Sequence, residues 1–147
     1  MKIKILAPLV FGIMSLLTLS SCEDEMAKVT NEESIKDITG NWKVVQLIRN
    51  GEDLSKRMEV KDFQINFNTD GTYTLAEQLP FVVDASGRYM FNDPQFPFSL
   101  ILRPEGEEKE VAVKFQFPVV AGKRQLSLSF SLGCSSNSYQ FNFERQN

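Results

Sequence analysis

The chain contains no histidine. That removes the usual general base near neutral pH, the Ser/His and Cys/His nucleophile systems, and the commonest zinc ligand. Cysteine is scarce too: Cys22 and Cys134 are the only two in 147 residues. There is no Gly-rich phosphate loop and no cluster of basic residues. Sixteen Lys and Arg stand against nineteen Asp and Glu, for a net charge of −3, and an acidic chain without a basic patch argues against nucleic acid as a partner. The acidic pairs Glu52-Asp53 and Glu107-Glu108 sit in polar turns, which offer neither the cleft nor the raised pKa that a glycosidase pair needs. Asn68-Thr69-Asp70-Gly71 has oxygens for Ca²⁺ but lacks the downstream acidic ligands, and reads as a hairpin turn. These absences predict a protein that is not an enzyme and carries no cofactor or metal.

What is present begins with a processing signal. Lys2 and Lys4 precede an apolar run from Ile5 to Leu19, broken by Pro8, Gly12 and Ser15. The run is short for a membrane span, which needs about 20 residues. Leu19-Ser20-Ser21-Cys22 then places small residues before a cysteine. This resembles the lipobox of bacterial lipoproteins, in which that cysteine receives diacylglycerol and becomes the new N-terminus; an ordinary secretory signal or a buried helix is the plainer alternative. The resemblance implies lipidation at Cys22 and a membrane partner reached through that lipid, on the outer membrane. Loss of residues 1–21 would leave 126 residues, one domain's worth, and would remove Lys2 and Lys4 but no acid, moving the charge to −5. A lipidated Cys22 would leave Cys134 without a disulfide partner, buried beside Leu132 or reactive.

Residues 22–33 form a polar tether that opens with Glu23-Asp24-Glu25. It reads either as a solvated linker or, since an acidic run directly after the lipidated cysteine resembles the surface-export signal of some Gram-negative lipoproteins, as an address to the cell surface. The domain proper spans 34–147. Ser34-Ile35-Lys36-Asp37-Ile38 has two apolar residues three apart, which predicts one short helical turn.

From Trp42 onward the pattern has period two. Trp42, Val44, Gln46 and Ile48 share the first face. Phe63, Ile65 and Phe67 follow, then Tyr73 and Leu75, Tyr89 and Phe91, and Phe98, Leu100 and Leu102. The last three stretches are the clearest: Val111 to Phe117, Leu126 to Leu132, and Tyr139 to Phe143 alternate without a break. Eight such strands joined mostly by local turns predict an all-β, eight-stranded antiparallel up-and-down β-barrel, with an open sandwich as the alternative.

Gly40-Asn41-Trp42, at the head of the first strand, resembles the G-x-W motif of the lipocalins. Residues 35–147 as a whole resemble the lipocalin-like domains of bacterial outer-membrane lipoproteins. The chain departs from lipocalins proper in having no T-D-Y-type segment in the later loops and no helical stretch after the last strand. The family places an arginine from the last strand over the tryptophan. In an eight-strand meander the end of the last strand lies beside the start of the first, and Arg145 continues the spacing of Tyr139, Phe141 and Phe143. Gly40, Trp42 and Arg145 are therefore the predicted barrel-closing residues.

Trp42 would mark the closed end, so the connections 50–61, 77–86, 104–109 and 133–138 fall at the open one. Leu79-Pro80-Phe81-Val82-Val83 is an unusually apolar stretch for a loop and reads as a lid, a partner contact or an early strand. Met58, Leu79, Phe81, Val83 and Cys134 are the candidate ligand-mouth residues. An eight-stranded barrel is just wide enough to be filled by side chains or to hold one small ligand. The predicted interior contains Trp42, nine phenylalanines (63, 67, 91, 98, 115, 117, 130, 141 and 143) and Tyr73, Tyr89 and Tyr139. These rings would either fill the barrel or line a site for a small apolar ligand. The sequence therefore supports a ligand-binding barrel first and a filled interaction module second, with no protein partner specified.

Overall fold

The computed structural model describes residues 34–77, 81–133 and 136–146. The expected signal peptide 1–21, lipidation site Cys22 and tether 22–33 lie outside the described residues, as do Leu79 and Cys134.

The strands are β1 (Gly40–Arg49), β2 (Glu52–Asp53), β3 (Gln64–Phe67), β4 (Thr72–Ala76), β5 (Gly87–Phe91), β6 (Ser99–Pro104), β7 (Val111–Gln116), β8 (Val119–Val120), β9 (Lys123–Ser131) and β10 (Ser138–Arg145). Eight of them pair antiparallel with their chain neighbours in the order β1-β3-β4-β5-β6-β7-β9-β10, and β10 pairs back onto β1. The sheet is thus a closed meander, which leaves no exposed edge in the ring. β2 and β8 are two-residue arms folded back on β1 and β9. Each arm is reached through two residues of positive φ, Asn50-Gly51 and Ala121-Gly122, as the tight hairpin turn that matches strand twist requires.

Alternation puts one face of each of the eight ring strands inward. Trp42, Val44, Ile65, Phe67, Leu100, Leu102, Val113, Phe115, Leu126, Leu128, Phe141 and Phe143 are all buried in one core. Gly87 is fixed by close approach: a Cβ there would lie 2.0 Å from the Arg103 carbonyl oxygen of β6.

Three local expectations are corrected. Residues 34–39 contain no helical turn. Asp37 instead accepts hydrogen bonds from the Thr39 backbone N–H at 2.8 Å and hydroxyl at 2.7 Å, a side-chain competitor to helix. The face of β1 changes phase: its pairing with β10 slips between Val44 and Gln46, so Val45 is an extra, exposed residue and Leu47 is buried in place of Gln46 and Ile48. Such a bulge inverts everything after it. Gln46 faces outward, donating to Asp53 Oδ2 at 2.9 Å and accepting from Asn142 Nδ2 at 2.8 Å. Finally, Phe98 is not interior but 67% exposed. The Asn92 side-chain oxygen accepts the N–H groups of both Phe98 and Ser99, so the strand proper starts at Ser99 and Phe98 lies below the rim.

Candidate functional site

The closed end is built on Trp42. Its indole N–H donates to the Ile38 carbonyl at 2.7 Å, and both residues are buried. The Arg145 guanidinium lies over the indole with its Cζ 5.0 Å from the ring centroid, and Arg145 is the cross-strand partner of Trp42. Arg145 also donates to the Asp37 carbonyl at 3.1 Å. Lead-in, first strand and last strand are therefore joined at one point. Gly40 has φ +115°, a conformation open to glycine and strained for other residues; the nearest atom to a Cβ there would be Arg145 Nε, 3.8 Å away. The Asp37 carboxyl is held below its usual range by its bonds to the Thr39 side chain and backbone, with a smaller contribution from Arg145.

At the opposite end the connections fold inward. Val60 from the β2–β3 connection, and Phe81 and Val83 from the β4–β5 connection, are all buried in the core, with Leu54, Met58 and Val82 partly buried against that core. Residues 81–86 form no strand, yet Phe81 is only 7% exposed. Its ring stands 5.3 Å from Phe63, 5.2 Å from Phe130 and 5.3 Å from Phe141, edge-on to the last two. The wall rings Phe130, Phe141 and Phe143 are themselves stacked in sequence, at 5.6 and 6.1 Å. Phe81 thus fills the space between rings carried by β9 and β10 and by the approach to β3. Of the mouth candidates, Phe81 and Val83 are buried in the core and Met58 is partly buried against it.

Two buried side-chain oxygens, the Tyr73 hydroxyl and Ser127 Oγ, have no hydrogen-bond partner among the described residues, and the first stands on an aromatic ring of the core. Tyr73 is buried to 1% exposure. Desolvation, helped by Glu107 and Asp84, pushes its pKa up to about 12. It is therefore a neutral hydrogen-bond donor throughout the physiological range. Sequence reasoning placed Tyr73 inward but had no signal that its hydroxyl would lack a partner. Among the described residues no group of three or more His, Cys, Asp and Glu side chains is placed to hold a metal ion.

Fold and site together define a closed, eight-stranded antiparallel β-barrel with a tryptophan-sealed floor and a phenylalanine-plugged mouth. The chain belongs to the family described as "Domain of unknown function (DUF5004)", whose model matches residues 19–144. No curated protein and no solved structure matches it.

Proposed function

We propose that the chain is a lipid-anchored, non-catalytic, lipocalin-like barrel of the outer membrane that binds a small apolar ligand at its mouth. In this reading Phe81 occupies the site until a ligand displaces it. The observation that carries the proposal is the position of the Phe81 ring. It enters from a connection rather than from the wall, yet it packs among Phe63, Phe130 and Phe141. A ring held by a connection can leave without unpairing any strand, and the space it vacates is lined by aromatic faces suited to an apolar molecule. The Tyr73 hydroxyl offers a donor to a ligand bearing one polar group, because an unpaired buried hydroxyl gains most from acquiring a partner. The lack of histidine and the solvent-facing acids of the turns support a binding rather than a catalytic role.

The filled core also favours a second reading: a permanently plugged barrel serving as an interaction or inhibitor module at the cell envelope. A fluorescent fatty-acid probe separates the two. Under the first reading the native chain takes up the probe and Phe81→Ala takes it up more tightly, at a stability cost of about 3–5 kcal/mol for a buried aromatic. Absence of uptake by both proteins would leave the plugged module.

A further inference from the structure

The closed end carries a surface that its sealing role does not account for. Among the described residues seven large apolar side chains are exposed, and five of them lie at this end: Ile35, Phe96, Phe98, Val119 and Val120. They come from three separate segments, the lead-in to β1, the β5–β6 connection, and the arm between β7 and β9. Phe96 is 55% exposed and Val119 56%. Soluble proteins rarely expose such residues in groups without a partner.

The same end is marked by cations. A groove of about 510 Å³ runs beside the floor, with Lys36, Lys123, Arg124 and Arg145 among its lining residues. Two carboxylates, Asp37 and Glu144, also line it, so four cations stand against two acids in the groove. Asp70 and Asp93, in the neighbouring turns, keep their charge, held ionised by hydrogen bonds from nearby N–H groups, but lie outside the lining of the groove. Lys123 and Arg124 are exposed and follow the apolar tip Val119-Val120 across the Ala121-Gly122 turn. Aromatic and aliphatic tips beside basic side chains are the composition that seats a surface in the headgroup region of a bilayer.

The direction of the chain selects the occupant. Ser34, the first described residue, lines the same groove, so the chain enters the barrel at this end. The twelve residues 22–33 span at most about 40 Å fully extended, which limits how far this end can stand from a lipid carried on Cys22. We infer that the closed end is a membrane-docking face, with the apolar tips entering an anionic phospholipid surface and the cations meeting its phosphates. The mouth then points away from the membrane. This inference rests on the lipid-anchor reading of Cys22 for its geometry, though not for its chemistry.

The test uses the chain from residue 22 onward carrying Cys22→Ala, which takes no lipid and keeps every strand of the barrel. It is sedimented with vesicles of phosphatidylethanolamine and phosphatidylglycerol, and with phosphatidylcholine vesicles for comparison. Partition onto the anionic vesicles is expected, weakening with salt. Phe96→Ser/Phe98→Ser should lower it by more than about tenfold and Lys123→Gln by about fivefold, with unchanged melting temperatures because all three side chains are exposed. No partition, or equal partition by the variants, overturns the inference. So does a protein crosslinked through position 98 in cells when vesicles are not bound. Labelled palmitate fed to cells making the full chain reads the anchor separately. Label on the native chain but not on Cys22→Ala supports the anchor even where vesicle docking fails, and vesicle binding without label retains the docking face and removes the anchor.

Discussion

Arg145 lies over Trp42 with its guanidinium carbon 5.0 Å from the ring centroid, at the point where the last strand closes onto the first. One face of the indole is covered by a cation, and its N–H is bound to the Ile38 carbonyl. The pair joins residues 103 positions apart, so the contact forms only when the ring of strands is complete. Trp42→Ala should cost about 3–5 kcal/mol, the range for a buried aromatic. Arg145→Ala should cost only about 0.5–1 kcal/mol, because the guanidinium is exposed. Equilibrium urea unfolding of the two variants checks both the magnitudes and their order. A near-neutral Trp42→Ala would mean that the floor is not sealed there.

Tyr73 should titrate well above the ordinary tyrosine range. Its pKa is pushed up to about 12 by burial, so the folded chain keeps its proton where the unfolded chain, near 10, has lost it. Stability from this group is fully present below pH 10 and declines as pH rises from there toward 12. Absorbance at 295 nm should show a late phase that is absent in Tyr73→Phe. Because the hydroxyl is buried without a partner, Tyr73→Phe should leave neutral-pH stability unchanged or higher. A loss of more than about 1 kcal/mol at neutral pH would show that the hydroxyl is bonded in solution.

Ala121 has φ +49° in the β8–β9 turn, where an L-residue with a Cβ is disfavoured and Asn or Gly is tolerated. Ala121→Asn should stabilise the barrel by up to about 1 kcal/mol, read as a higher urea midpoint with an unchanged slope. A lower midpoint would contradict the turn geometry.

The barrel was legible in the sequence because a one-sided strand repeats every two residues, and all eight strands of the ring carry that repeat. The Arg145–Trp42 contact was legible for a topological reason: closing a meander fixes what lies beside the first strand. Features one or two residues long were not. The extra residue Val45 stands next to Val44, and two β-branched residues in succession give no sign of which is the insertion. The β2 and β8 arms are too short for a pattern. Phe98 keeps the parity of the strand after it, but the Asn92 side chain captures the backbone before the strand begins. At the mouth, the apolar stretch around Phe81 was visible as unusual for a loop. Its destination was not, since insertion between Phe63, Phe130 and Phe141 depends on contacts far apart in the chain.

The proposed ligand site is the one that the Phe81 ring occupies. Its most direct test is the position of that ring in a crystal structure of the protein with a fatty-acid probe bound. The apolar end of the probe is expected between Phe63, Phe130 and Phe141, with Phe81 turned out of the barrel. A probe bound elsewhere while Phe81 keeps its contacts with those three rings would contradict it.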